Sequence, residues 1–185
     1  VLGEHKIGNI TGISLSLFAM IVIINAFNLI DGVDGLASGL GTLASLVFGT
    51  WFYLTGNYPL AIMAFALLGA LAAFFIYNVF GNSNKLFMGD TGSLIIGFLI
   101  STMVVSFNEL NLTAPEPYRI GGAPAVSFAI IIVPLIDTLR VMTIRIAQRR
   151  SPFSPDKCHI HHRLLSLFNS HLKVTLTLSL IHISE

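Results

Sequence analysis

Four polar side chains recur at every third position of an otherwise apolar run: Asn25, Asn28, Asp31 and Asp34. If that run is helical, steps of three keep them on one slowly drifting stripe. Paired carboxylates of this kind could hold a divalent metal. Polar groups at the end of an apolar segment are costly unless satisfied, which points to function. A plainer use also exists, because Gly32 and Gly35 permit a tight turn and Asp34 is placed to cap the next helix. A single cap does not call for two aspartates and two asparagines.

A second cluster, Lys85-Leu-Phe-Met-Gly-Asp-Thr-Gly-Ser93, leads into another apolar run. Asp90 or Thr91 is expected to cap the helix that follows, whose N-terminus offers free N–H groups and the positive end of a dipole. Such a place suits a phosphate, or a carboxylate holding Mg²⁺ that in turn holds a phosphate. The alternative is an ordinary N-cap, with Lys85 as an interfacial anchor and Phe87 as a plain apolar contact. The third cluster, Ser151-Pro-Phe-Ser-Pro-Asp-Lys-Cys-His-Ile-His-His162 followed by Arg163, is basic and rich in histidine. His159, His161, His162 and Arg163 form a candidate anion site. Zinc is the competing use, since Cys158 and three histidines are fit ligands, but residues this close in sequence rarely converge on one tetrahedral ion. Together the clusters carry the parts for phosphoryl transfer: carboxylates for a metal, and cations for the charge spread over the transferring phosphate.

The elements that position these clusters follow from composition. Hydrophobic residues make up 54% of 185 positions and charged residues 10%, against about 25% charged in ordinary soluble domains. Such a chain cannot cover itself with a polar skin and belongs in a membrane. With about 20 apolar residues needed per span, five stretches qualify: 8–30, 36–54, 60–79, 93–107 and 123–144, with a partial sixth from His171 onward. The expected fold is an all-α, polytopic integral membrane helical bundle forming a single domain over 1–185. Thr55-Gly-Asn-Tyr-Pro59 is the natural turn of a helical hairpin in the charge-free stretch between Asp34 and Lys85. Gly39, Gly41, Gly69, Ala70, Ala72 and Ala73 are expected to allow close helix approach. Asp137 and Arg140 are spaced for an i,i+3 ion pair.

Loops at 31–35, 81–92 and 145–169 are each separated by two spans, so all three fall on one side. The third carries Arg145, Arg149, Arg150, Lys157 and Arg163 against the single acid Asp156. The opposite side has the uncharged Thr55–Pro59 turn and a loop with Glu109, Glu116 and Arg119. The positive-inside rule then assigns the three loops to the cytoplasm. Cys158 alone cannot form an internal disulfide. The chain opens on Val1 without a methionine and is expected to be an internal piece of a longer protein.

The motifs Asn25-Ala-Phe-Asn-Leu-Ile-Asp-Gly-Val-Asp-Gly-Leu36, Phe87-Met-Gly-Asp-Thr-Gly-Ser93 and Ser151 to His162, in this order, resemble the polyprenyl-phosphate N-acetylhexosamine-1-phosphate transferases of the WecA/MraY type. The resemblance runs from Thr11 to about Leu165. It implies transfer of N-acetylhexosamine-1-phosphate from a UDP-sugar to undecaprenyl phosphate with release of UMP, the first membrane step of cell-envelope polysaccharide synthesis. It implies Asp90 as a ligand of Mg²⁺ (or Mn²⁺ in its place), with Asn28 as a second ligand. Asp34 and Phe87 match positions that hold the uracil by hydrogen bonding and stacking. His159, His161, His162 and Arg163 match the loop that meets the pyrophosphate, and Asp31 shares the acidic motif. The expected catalytic set is thus Asp31, Asp34, Asp90, His159, His161 and His162.

The form of the histidine motif and its lead-in is similar to the WecA-type branch, which makes UDP-GlcNAc the first donor. A phospho-MurNAc-pentapeptide transferase, a transporter lined by the aspartates, and a non-catalytic membrane fragment stand as alternatives. Expected partners are the UDP-sugar, undecaprenyl phosphate and the bilayer of a bacterial cytoplasmic membrane, with a homodimer admitted and nucleic acid not expected. The family also carries an upstream Asp-Asp pair that is absent from this sequence. The chain is therefore expected to be incomplete relative to the family and, by itself, inactive.

Overall fold

The computed structural model describes residues 9–81 and 84–147. Among them every regular element is helical: α1 (Asn9–Ile30), α2 (Leu36–Leu54), α3 (Tyr58–Phe80), α4 (Gly89–Asn111), a 3₁₀ turn (Glu116–Tyr118), α5 (Ala123–Ile130) and α6 (Ile132–Ala147). In a bilayer each backbone N–H and C=O must find its partner inside the protein, which an α-helix achieves within a single segment. Helices α1 to α4 are each long and apolar enough to cross a membrane.

The fifth expected span departs from a straight helix. α5 and α6 meet at Ile131 with a bend of 74°. Pro134 explains the break: it has no N–H for the carbonyl of Ile130, and its ring would clash with that carbonyl if the helix ran through. α5 accordingly ends at Ile130, and the chain restarts as α6 with Leu135 N–H donating to Ile131 O at 3.4 Å. The expected sixth span, from His171, lies outside the described residues.

α2 and α3 form the expected hairpin, closed at Thr55–Asn57, where Asn57 Oδ1 caps α3 by accepting from Leu60 N–H at 3.4 Å. α1 packs along α4, and α2 closes the core between them. That core holds Phe27, Phe48, Phe52, Ile100, Met103 and Phe107, all buried. Trp51 and Phe107 meet edge to face with centroids 4.7 Å apart. Without a hydrophobic force between helices in lipid, such dispersion contacts and close backbone approach hold the bundle.

The small residues that matter are only partly those expected. Gly41 faces Leu71 in the α2–α3 seam, whereas Gly69, Ala70 and Ala73 are exposed. A close approach of backbone to backbone is at Gly97 of α4, where a Cβ would stand 2.7 Å from the Cα of Ile24 on α1. One turn further along both helices this contact reaches Asn28 and Ser93.

Candidate active site

The turn from α1 to α2 is held down by its one apolar residue. Val33 is buried in the core, so Asp31 and Asp34 on either side of it are left half-buried at the surface of the bundle end. Gly35 closes the turn in the left-handed region at φ 79°, and its N–H donates to Asn78 Oδ1 at 2.6 Å. A Cβ there would also collide with Val79 and Phe75, so the position accepts only glycine on both counts. Asp34 does not cap α2, which begins without a side-chain cap. Its carboxylate instead pairs with Lys85 Nζ at 2.5 Å, 51 residues along the chain.

Asn78 belongs to neither acidic motif, yet it joins their loops. Buried near the end of α3, it accepts from Gly35 N–H and donates from Nδ2 to Leu86 O at 2.8 Å. This bond and the Lys85–Asp34 pair dock the 84–88 segment on the acidic turn. Lys85 Nζ also lies 5.4 Å from the ring centre of Phe87, which is itself 78% exposed. The exposed ring and the Asp34 carboxylate thus flank one cation.

α4 opens at Gly89, which has φ 69°, and neither Asp90 nor Thr91 acts as its cap. Asp90 lies in the first helical turn and is exposed. Its placement relative to α1 comes from buried Ser93, whose Oγ lies 3.1 Å from Asp90 O and accepts from Asn28 Nδ2 at 2.9 Å. That bond uses the Asn28 nitrogen and turns its amide oxygen into the acceptor offered to a ligand.

Asn28, Asp31, Asp34, Phe87 and Asp90 therefore come together at one end of the bundle. The Asp31 carboxyl registers it: burial first, then the charges of Asp90 and Asp34, push its pKa up from 3.8 to about 6. Like charges in a partly desolvated site repel, and a divalent cation would relieve that repulsion. Among the described residues no three His, Cys, Asp or Glu side chains converge as a complete metal cage. Mg²⁺ does not need one, since it is commonly held by one or two carboxylates together with substrate phosphates and water. The oxygen set of Asp90, Asp31 and Asn28 fits that manner of binding.

His159, His161, His162 and Arg163 lie outside the described residues. Asp137 and Arg140 form the expected pair on α6, at 3.9 Å. Asn25 turns back on its own helix, donating to Ile21 O at 2.7 Å. Sequence reasoning passed over Ser93 and Asn78 as site residues. Ser93 was visible as the last residue of the second motif, whereas nothing local distinguishes Asn78 from any polar residue near the end of a span.

Residues 1–108 match the model of the family described as glycosyl transferase family 4. Among curated proteins, the chain is 37% identical over 156 residues to the undecaprenyl-phosphate alpha-N-acetylglucosaminyl 1-phosphate transferase of Escherichia coli K12, covering 83% of this chain and 41% of that protein. The protein of the same name from Yersinia pestis is 36% identical over the same shares. The decaprenyl-phosphate N-acetylglucosaminephosphotransferase of Mycolicibacterium smegmatis is 34% identical over 190 residues, covering 96% of this chain and 46% of that protein. The chain thus spans less than half the length of these relatives.

Proposed function

Because this chain belongs to glycosyl transferase family 4, we propose that the protein transfers N-acetylglucosamine-1-phosphate from UDP-GlcNAc to undecaprenyl phosphate. The observation that carries this reading is the single acidic end built from two distant motifs, where Asn28 and Ser93 tie the α1–α2 turn to the first turn of α4. The names of the relatives support N-acetylglucosamine as the sugar and a polyprenyl phosphate as the acceptor. They favour that donor over a muramyl-peptide one.

Asp90, with Asp31 and the Asn28 oxygen beside it, would hold Mg²⁺, which supplies charge neutralisation of the donor diphosphate. Asp34 and Phe87 take the uracil, by hydrogen bond and by stacking, where Lys85 now bridges the two. An oxygen of the lipid phosphate attacks the sugar-bearing phosphorus of the donor, forming a new P–O–P bridge. The old bridge breaks toward the uridine side, and UMP leaves with the bonding electron pair. His159, His161, His162 and Arg163 stabilise the charge on that leaving group. Positioning and electrostatics carry most of the rate, since the protein itself forms no covalent bond in this scheme. The acidic end faces the cytoplasm of the bacterial inner membrane, by the positive-inside distribution of the loops.

The test is UMP release by the full-length protein that carries this chain, in membranes supplied with UDP-GlcNAc, with undecaprenyl phosphate and Mg²⁺ each present or omitted. Release that requires both lipid and metal is expected. Release independent of the lipid, or none with any UDP-N-acetylhexosamine, would sink the proposal.

A further inference from the structure

At the end of the bundle opposite the acidic cluster, two cavities meet. The deeper one, about 180 Å³, has almost wholly apolar walls contributed by Phe18 and Val22 of α1, Val104 of α4, Phe128 of α5 and Leu135 of α6. It opens where the break at Ile131 swings α5 away from the line of α6. The outer one, about 350 Å³, has walls of mixed polar and apolar character and lies under the 112–122 loop, with Glu116, Arg119, Gly121 and Gly122 in its wall. Asn108 and Pro124 line both, so the two adjoin.

The outer cavity is held in shape. Buried Asn111 clamps the loop by donating to Ile120 O at 2.8 Å and accepting from Ile120 N–H at 2.9 Å. Asn108 ties α4 to α5 by donating to Ser127 Oγ at 2.8 Å. Glu116 and Arg119 stand three residues apart around the 3₁₀ turn, a spacing at which side chains share one face. Its depth is marked by aromatic residues: Trp51 Nε1 donates to Tyr118 O at 3.0 Å, and Tyr53 and Tyr58 meet edge to face at the neighbouring turn. Trp and Tyr gather at the level of lipid headgroups. A cavity of mixed walls that carries one anion and one cation therefore lies at headgroup level, and an apolar one continues below it.

The geometry points to a bound phospholipid with a zwitterionic, ethanolamine-type headgroup. Its phosphate faces Arg119, its ammonium donates to Glu116, and one acyl chain enters the cleft between α1, α4 and α5. An anionic headgroup without the ammonium would meet Arg119 equally well but would set its net negative charge against Glu116 with no cation to offset it. This site is independent of the transfer reaction and lies at the far end from it.

Native mass spectrometry of the detergent-purified protein, equilibrated with equimolar phosphatidylethanolamine and phosphatidylglycerol, tests it. The wild type should retain phosphatidylethanolamine over phosphatidylglycerol by about fivefold, the worth of one well-placed charge at a membrane surface. Glu116→Gln, an exposed loop substitution, should keep lipid bound and erase the preference. Ala19→Phe, which fills the apolar cavity, should strip both lipids. Equal retention of the two lipids by the wild type, an unchanged preference in Glu116→Gln, or a wild type that retains no lipid because another part of the protein fills the cavity would each overturn the proposal.

Discussion

Asp31 sits one residue beyond α1, with its carboxyl pushed up to about 6 by burial and then by Asp90 and Asp34. A carboxyl whose folded pKa exceeds its ordinary value favours the fold in its neutral form. That contribution is complete below about 3.8 and is lost as pH rises through about 6. In chelator-containing buffer the wild type should therefore lose thermal stability between those two pH values. Asp31→Asn should lack that loss and melt higher than the wild type at neutral pH, as differential scanning fluorimetry would read. For Asp90→Asn, the proposed function predicts a fall in UMP release of about 10²–10³-fold, as for removal of one group that meets transition-state charge. Intact activity and Mg²⁺ dependence in that variant would remove Asp90 from the metal site. Asn78→Leu should weaken UDP-sugar binding more than turnover, because it frees the Gly35 turn and the Leu86 carbonyl while leaving Asp90 in place. An increase in KM with little change in kcat is the expected signature.

At the scale of elements, α1 and α4 run against each other in opposite directions, with Ile24 facing Gly97 and Asn28 facing Ser93 one turn on. Gly97→Ala sets a Cβ against backbone rather than against a side chain that could swing aside. It should cost about 1–3 kcal/mol, the usual range for overpacking, and should lower activity by spreading Asn28 from Ser93. A variant as stable and active as the wild type would mean that the helices part at this point without consequence. Pro134→Ala should restore the bond from residue 134 to the carbonyl of Ile130 and straighten α5 onto α6. Spin labels at Ala125 and Leu139, both exposed, would then move apart in pulsed dipolar measurements. This break was legible in the sequence, since Pro134 stands in the middle of the expected span; the straight span came from counting apolar residues alone.

At the scale of the whole molecule, the sequence was most informative where lipid punishes polar groups. Asn28, Asp31, Asp34 and Asp90 stood out because ionisable and amide groups beside long apolar runs need a reason to be there. The four long helices followed from the same contrast, and their hairpin turn from Gly56 and Pro59. What stayed hidden were partnerships between distant positions: Lys85 with Asp34, Asn78 with Gly35, Ile24 with Gly97. No local pattern encodes which polar residue near a span end will meet which loop, because that depends on how the helices pack. The same packing made Asp34 an ion-pair partner where its position suggested a cap. The expected sidedness can be checked with single cysteines at Asn84 and Asn57 in a Cys158→Ser background. A membrane-impermeant maleimide should reach Asn57 from outside intact cells and Asn84 only after the membrane is opened.

The Lys85–Asp34 pair also bears on how the protein enters its membrane. It brackets the α2–α3 hairpin, and no charge lies between its two members. With the acidic end on the cytoplasmic side, as proposed, the tip of that hairpin, Thr55–Asn57, is carried across the bilayer, and it brings no ion to be stripped of water on the way. Both legs can thus be threaded as one unit, with Asp34 and Lys85 remaining on the side of synthesis. Only when the second leg is fully in place does Lys85 arrive beside Asp34 and Asn78 beside the Gly35 turn. The acidic turn is completed by the last step of threading, so a stalled hairpin leaves behind an unfinished acidic turn rather than a misplaced one.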